Sequence, residues 1–181
     1  FKGNVTFQGN PSSTGTYTIN NSINNPNFIF EGNVTLENGT STLNWTKGTG
    51  TITFSGTSAQ TADFLDKAVE DIVISNTSDT VSLIDNGVTT DQLTVDSGAT
   101  FDLNGENLSY ASASSTTNNG TIRLQGGETL TNVNDLDTNS GDVIYYGTNV
   151  SETLTLQNVT YNNLTIDDAN ATKATFAPAS G

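Results

Sequence analysis

Apolar and polar residues alternate in short runs along most of the 181-residue chain. Alternation with a period of two places the apolar side chains on one face, and it predicts β-strands with one buried side. Many outward positions hold Thr, a β-branched residue that favours an extended backbone. The clearest runs are residues 5–7, 34–36, 52–54, 72–74, 93–95, 101–103, 122–124, 154–156 and 164–166.

The segments between these runs are rich in residues that form turns. They contain Asn-Gly, Ser-Gly and Gly-Gly pairs, whose residues tolerate a positive φ. Residues 59–69 are the only stretch that could hold a helical turn. The pattern therefore predicts a folded, all-β chain.

The chain also repeats itself. Residues 50–57 and 141–148 share the pattern Gly-x-(Ile/Val)-x-(Phe/Tyr)-x-Gly-Thr at an offset of 91, and residues 3–9 resemble its opening. Two Asn-Val-Thr pieces, at Asn4 and Asn33, lie 29 residues apart. Such internal repeats are typical of repeat architectures.

The longest match predicts equivalent positions in the fold. Phe54 and Tyr145 are expected to face inward at equivalent places, as are Ile74 and Ile166 at an offset of 92. The last copy stops partway, which favours a chain cut from a longer array. The repeats divide one continuous solenoid into a first partial repeat over residues 1–49, a full repeat over 50–140 and a truncated repeat over 141–181.

Repeated short strands without helices fit two architectures. The first is a parallel β-solenoid, a right-handed β-helix in which the inward residues of each coil stack on those of the next. The alternative is a row of tandem antiparallel β-sandwich domains. The unequal repeat lengths favour the solenoid, because a coil tolerates an inserted loop whereas a sandwich needs a nearly fixed number of strands.

The composition excludes several kinds of catalytic site, metal site and binding partner. Ser, Thr, Asn and Gly account for 90 of the 181 residues, Cys and His are absent, and the net charge is -14. Without Cys or His there is no disulfide, no thiol nucleophile, no Ser–His–Asp triad and no imidazole or thiolate metal site. The negative charge disfavours nucleic acid as a partner, and no apolar run is long enough for insertion into a membrane.

Three segments resemble phrases that are common in secreted bacterial β-strand-repeat proteins. They are residues 93–105, 119–124 and 161–166, and the resemblance covers most of residues 48–170. That group includes autotransporter-passenger-like and adhesin-like surface proteins with right-handed β-helices. The resemblance implies an extracellular or cell-surface location and a role in adhesion or structural coating, and it supplies no catalytic residues.

The chain is rich in Asn-x-Ser/Thr sequons, with nearly twice the number that its composition predicts. Glycosylated sequons would cover the surface with sugar. The competing interpretation is that Asn and Thr are simply common strand and turn residues here. The candidate glycosylation sites are Asn4, Asn20, Asn33, Asn38, Asn44, Asn76, Asn107, Asn119, Asn149, Asn158, Asn163 and Asn170.

One segment has the spacing of a cation-binding loop. Asp135, Asp137 and Asn139 place oxygen-bearing side chains at alternate positions ahead of Gly141. Hard oxygen ligands suit Ca²⁺, so these three residues are a candidate calcium site, and no other cofactor is expected. A solvated turn before the next strand is the competing interpretation, because no Glu closes the loop.

Two further sets suggest carbohydrate chemistry. Tyr145 and Tyr146 are adjacent, so one of them faces outward on a regular strand and both are candidate glycan contacts. An acidic set could supply the acid and base of a polysaccharide-cleaving enzyme, but Arg123 is the only Arg that could stabilise a developing anion. The acidic set comprises Asp63, Asp66, Glu70, Asp71, Asp85, Asp91, Asp96 and Asp102. We therefore expect no enzymatic activity.

The leading functional hypothesis is a non-enzymatic extracellular structural protein. It would be a repeat segment of a cell-surface filament, stalk or layer that assembles end to end with copies of itself, because the end coils of a solenoid carry unpaired backbone groups. The alternative is an adhesin or carbohydrate-binding β-helix module that binds surface glycans through one face of the solenoid.

Overall fold

A computed structural model describes residues 1–148, 153–167 and 175–178. Within these ranges the chain forms short β-strands and no helix, as the alternating pattern predicts. The strands are β1 (Val5–Gln8), β2 (Thr16–Asn20), β3 (Phe28–Phe30), β4 (Val34–Glu37), β5 (Thr42–Thr46), β6 (Thr51–Phe54), β7 (Gln60–Asp63), β8 (Asp71–Ile74), β9 (Thr80–Leu83), β10 (Val88–Thr90), β11 (Leu93–Val95), β12 (Thr100–Asp102), β13 (Leu108–Ser115), β14 (Thr117–Asn118), β15 (Thr121–Leu124), β16 (Leu130–Asp135), β17 (Asp142–Tyr145), β18 (Thr153–Leu156), β19 (Asn163–Ile166) and β20 (Thr175–Pro178).

All pairings between these strands are parallel, and each strand pairs with a strand of the coil before or after it. The prediction of a parallel β-solenoid is therefore confirmed. The antiparallel β-sandwich alternative is wrong, because no two of the described strands pair in antiparallel fashion.

Three sheets form the faces of the solenoid. Sheet 1 has eight strands in the order β1-β4-β7-β9-β12-β15-β17-β19, and sheet 2 has five in the order β3-β6-β8-β11-β14. Sheet 3 contains β10, β13 and β16, while β2 pairs with β5 and β18 pairs with β20. Sheet 1 is continuous from the first coil to the last, so it defines the axis.

The strand register gives the length of each coil. Asn33 lies 29 residues after Asn4, its counterpart one coil earlier, and Thr61 lies 28 residues after Asn33. The later coils are shorter, since contacts between neighbouring coils there join residues 20 or 21 apart. The wide coils therefore lie at the N-terminal end.

The predicted equivalence of Phe54 with Tyr145 is wrong, although both side chains are completely buried. Phe54 ends β6 in sheet 2, whereas Tyr145 ends β17 in sheet 1. Ile74 and Ile166 are likewise in sheets 2 and 1. An offset of 91 residues equals about four of the shorter coils plus the residues of one face. It therefore links a strand of one sheet to a strand of the next sheet around the coil, and not to a strand of the same sheet. The division of the chain at residues 50 and 141 stays a prediction.

Inward side chains stack along the axis and form one core. In the wide coils many of them are aromatic: the ring centroids of Phe30 and Phe54 are 6.1 Å apart, and those of Phe7 and Trp45 are 5.2 Å apart. In the narrower coils most are aliphatic. A longer coil encloses more volume, so it needs larger side chains to reach the packing density of a protein interior.

The corner after sheet 1 uses the left-handed backbone region. The second residue after the strand has a positive φ in five coils, at Leu65, Asp85, Asn104, Gly126 and Gly147. Asp, Asn and Gly adopt this conformation at low cost, which explains their presence at the turn. Residues 59–69, the stretch that could have held a helical turn, instead form β7 and this corner.

Candidate functional site

Asn side chains connect coils at the corner before sheet 1. The Oδ1 atom of Asn4 accepts a hydrogen bond of 3.0 Å from the backbone N–H of Asn33. The Oδ1 atom of Asn33 accepts one of the same length from the N–H of Thr61. These bonds satisfy backbone donors where the chain leaves one strand for the next. Two of the sequon asparagines therefore help to hold the stack together.

The sequon asparagines differ in accessibility. Asn33 is half-buried and Asn76 is completely buried, while Asn149 and Asn170 lie outside the described residues. The exposed ones are Asn4, Asn20, Asn38, Asn44, Asn107, Asn119, Asn158 and Asn163. Glycosylation of these exposed residues stays a prediction.

Asn76 is part of a buried hydrogen-bond network. Its Nδ2 group donates to the carbonyl of Ser58 at 2.8 Å and to Oε1 of Gln60 at 3.1 Å. Its Oδ1 atom accepts from the N–H groups of Ser78 and Asp79. A glycan on Asn76 would have to displace this network, so the folded protein does not present this sequon.

The candidate calcium residues form a loop that is held by its own hydrogen bonds. Oδ1 of Asp135 accepts from the N–H of Asp137 at 3.1 Å, and Oδ1 of Asp137 accepts from the N–H of Asn139 at 2.9 Å. Oδ2 of Asp135 accepts from the hydroxyl of Ser115 at 2.6 Å. Over the ranges that the structure describes, no three Asp, Glu, His or Cys side chains form a group that could hold a metal ion.

Asp137 also connects two coils. Its Oδ2 atom accepts a hydrogen bond of 2.8 Å from the N–H of Asn118 in the preceding coil. Burial by itself raises the pKa of Asp137, but the hydrogen bonds from the N–H groups of Asn139 and Asn118 outweigh it and hold the pKa below its ordinary value. The carboxylate is therefore stabilised by protein donors.

We expect the fold to survive the removal of divalent cations. The loop carboxylates already accept protein hydrogen bonds, and strand pairing connects the coils. Circular dichroism of the purified chain in excess chelator should keep its β signal and its melting temperature. A signal that collapsed in chelator and returned on addition of Ca²⁺ would show that the loop is a structural calcium site.

The adjacent tyrosines face opposite sides of sheet 1. Tyr145 is completely buried, and its hydroxyl lies 2.9 Å from that of Tyr161. It therefore offers no surface to a glycan in the folded protein. Tyr146 is half-buried on the outer side, where its hydroxyl donates a 3.0 Å hydrogen bond to Oδ1 of Asp102. Burial is the main cause that raises the pKa of Tyr146 to about 12, so this hydroxyl stays protonated.

Arg123 joins this outer group. Its guanidinium lies over the ring of Tyr146, 4.5 Å from the centroid, and its Nε atom lies 3.7 Å from Oδ2 of Asp102. Burial is the largest of the influences on Asp102 and raises the pKa of its carboxyl above the ordinary value. The three side chains come from successive coils, so the cluster connects coils on the outside of sheet 1. The sequence alone could not show that these three residues lie together, because the coil length was unknown.

The acidic set is divided among several places. Lys47 forms an ion pair with Asp91, while Asp63 accepts hydrogen bonds from the N–H of Leu65 and the side chain of Asn86. Three of the acids, at positions 63, 66 and 85, lie near Glu106, whose pKa is raised first by burial and then by these charges. Asp66 accepts a hydrogen bond of 3.0 Å from the N–H of Gly87, so two of these acids, Asp63 and Asp66, have structural partners.

Glu70 has a role that the sequence did not reveal. Its side chain is completely buried, Oε2 accepts from the indole N–H of Trp45 at 3.0 Å, and Oε1 accepts from the N–H of Gly48 at 2.9 Å. The second coil contains β4, β5 and β6, and the third contains β7 and β8. Among the described residues β5 pairs with β2 of the first coil and with no strand of the third coil. The carboxylate therefore connects the second coil to the third where backbone pairing does not.

The first described coil has unpaired strand edges. The outer edges of β1 and β2 pair with no other strand in the described ranges. Tyr17 is 50% exposed although it is in register with the buried Leu43, and Phe1 is 61% exposed although it stacks on Phe30. Tyr17 and Phe1 are therefore in contact with water, whereas the equivalent side chains of the next coil are covered by their neighbours.

The last described strand of sheet 1 also has an unpaired edge. β19 is its last strand among the described residues. Leu164 is 41% exposed although its partner in the register, Val143, is buried, and Ile166 is half-buried. The first and last described strands of sheet 1 therefore each have an edge of backbone groups with which no described strand pairs, and at β19 this edge lies beside the exposed Leu164.

Comparisons with protein-family models, with curated proteins and with solved structures gave no match. No helix within residues 1–148, 153–167 and 175–178 is long and apolar enough to cross a membrane. The unpaired edges of the first and last described strands of sheet 1 and the outer face of that sheet are therefore the features on which a function can be argued.

Proposed function

We propose that this protein is a non-enzymatic structural segment of an extracellular filament, stalk or surface layer, and that its copies associate end to end. The observation that supports the proposal is that sheet 1 runs parallel through the described coils, and that its first and last described strands each have an edge with which no described strand pairs. Exposed strand edges with apolar side chains are templates for pairing unless Lys, Pro or a bulge blocks them. Neither β1 (VTFQ) nor β19 (NLTI) contains a charged residue or Pro.

End-to-end association continues the stacking that already builds the chain. A second copy that adds a coil to one end would satisfy the unpaired backbone groups and cover the apolar side chains there. Head and tail are different surfaces, so such a contact repeats without closing and produces a filament. The extracellular location is supported by the resemblance to secreted repeat proteins and by the exposed sequons.

We expect association to strengthen as salt concentration rises. Each copy carries a net charge of -14, and ions screen the repulsion between copies while leaving strand pairing and apolar contact intact. Static light scattering from 20 mM to 1 M NaCl, at several protein concentrations, measures the effect, and electron microscopy should show fibres at the high-salt end. A chain that stays monomeric at every salt and protein concentration would contradict the filament proposal.

An adhesin or carbohydrate-binding module is the second candidate. The outer face of sheet 1 supports it, because Tyr146 and Arg123 form an aromatic and cationic group on a surface that is otherwise rich in Thr and Asn. Aromatic rings and planar guanidinium groups are common contacts for ligands. A monomeric chain that bound glycans and lost this binding in Tyr146→Ala would favour the adhesin over the filament.

A further inference from the structure

The sequon at Asn76 has its acceptor amide inside the fold. Asn76 is completely buried, whereas Thr77 and Ser78, the other two residues of the sequon, are exposed. The three residues lie at the corner between β8 in sheet 2 and β9 in sheet 1. The Nδ2 atom, to which an N-glycan is attached, therefore lies inside the corner, while the residues that complete the sequon lie outside it.

The Asn76 amide belongs to a network that joins several coils. Nδ2 donates to the carbonyl of Ser58 at 2.8 Å and to Oε1 of Gln60 at 3.1 Å. Gln60 is also buried, and its Nε2 atom donates to the carbonyls of Phe30 and Gly32 at 3.1 and 2.8 Å. The network therefore joins the corners that follow β3, β6 and β8, where the chain passes from sheet 2 to sheet 1.

An N-glycan on Asn76 is incompatible with this network. In the transfer, Nδ2 bonds to the anomeric carbon of a glycosyl diphosphate, the bond from that carbon to the diphosphate oxygen breaks, and Nδ2 passes one of its two protons to a base. The remaining proton can serve only one of the two buried acceptors, so the other loses its donor. The sugar also needs space beside a side chain that has no contact with water in the folded chain.

We propose that Asn76 is a conditional modification site, which accepts an N-glycan only while the chain is unfolded, and that the glycan then prevents these corners from closing. Modification of Asn76 and folding exclude each other. A transferase that modified every sequon of the extended chain would also modify Asn76, so glycosylation that yields a folded protein must follow folding. The exclusion does not depend on end-to-end assembly.

Expression in a cell that glycosylates chains as they enter its secretory compartment tests this exclusion. The Phe54→Asp chain, in which a charge replaces a buried ring, serves as the unfolded reference once its sensitivity to protease is established. In this reference, mass spectrometry should find glycan on Asn76 as often as on the exposed Asn158. In parent molecules that resist protease, the occupancy of Asn76 should be at least tenfold below that of Asn158.

A matched pair of variants separates the effect of the glycan from that of the substitution. Ser78→Ala removes the sequon but keeps the backbone N–H that donates to Oδ1 of Asn76, and Thr160→Ala removes the sequon of the exposed Asn158. Ser78→Ala should raise the folded fraction by the share of parent chains that carry glycan on Asn76, whereas Thr160→Ala should not change it. In a host without N-glycosylation, both variants should fold as the parent does.

Three results would overturn the proposal. The first is glycan on Asn76 in the protease-resistant parent at an occupancy close to that of Asn158. The second is absence of glycan from Asn76 in the Phe54→Asp chain, which would show that Asn76 is not a modification site in the unfolded chain. The third is loss of this glycan in Ser78→Ala without a matching gain in folded protein, which would show that the glycan does not block folding.

Discussion

Phe54→Asp is expected to destabilise the fold by at least about 5 kcal/mol. Phe54 is completely buried, with its ring centroid 6.1 Å from that of Phe30 and 6.3 Å from that of Phe64. The substitution removes an aromatic ring from the widest part of the core and places a carboxylate there without a partner. This loss is comparable to the whole stability of many domains, so the N-terminal coils should fail to fold.

The neighbouring residue provides the control. Thr53 precedes Phe54 in β6 and faces outward, so Thr53→Asp should change the free energy of unfolding by no more than about 1 kcal/mol. Chemical denaturation followed by circular dichroism compares the two variants with the parent. A Phe54→Asp protein that melted within about a degree of the parent would show that the inward and outward faces of β6 are assigned the wrong way round.

Glu70→Ala is expected to cost about 4 kcal/mol, because it leaves two buried donors without an acceptor at about 1–3 kcal/mol each. These donors are the indole N–H of Trp45 and the N–H of Gly48. Glu70→Gln should lose about half as much, since an amide has only one oxygen with which to accept. Trp45 is the only Trp in the chain, so its fluorescence reports on this site during denaturation.

The same substitution at an exposed glutamate controls for the loss of a negative charge. Glu31 is exposed, and Glu31→Ala should shift the free energy of unfolding by no more than about 0.5 kcal/mol. If Glu70→Ala and Glu31→Ala unfolded at the same denaturant concentration, the buried carboxylate would not be the connection between the second and third coils that the geometry indicates.

The fold class could be predicted from the sequence because it depends on local alternation. Period-two runs and turn residues identified strands, and unequal repeats favoured a solenoid. Strand alternation also placed Tyr145 and Tyr146 on opposite sides of one strand, as found. These features are read from a few adjacent residues, and the strands of a solenoid pair only with strands of neighbouring coils.

The coil length and the residues that bridge coils could not be predicted. The offset of 91 residues related Phe54 to Tyr145 on different faces because all three faces share one alternating pattern. Asn76 is a sequon in the sequence, yet its buried network depends on Gln60, which lies 16 residues away. The role of Glu70 depends on Trp45, 25 residues away, and no local pattern marks that pairing.

The coil of 20 or 21 residues also determines how this protein can change its length during evolution. Backbone pairing joins each coil only to the coils before and after it, so duplication or deletion of one complete coil rejoins strands that keep their inward and outward positions. The rod then lengthens or shortens by about 4.8 Å, one strand spacing. Insertion of a single residue within a strand would instead turn the inward side chains outward. Unequal recombination between the shorter coils would therefore give folded rods of different length. An exchange that involved the wide N-terminal coils would disturb the core, because those coils enclose larger side chains.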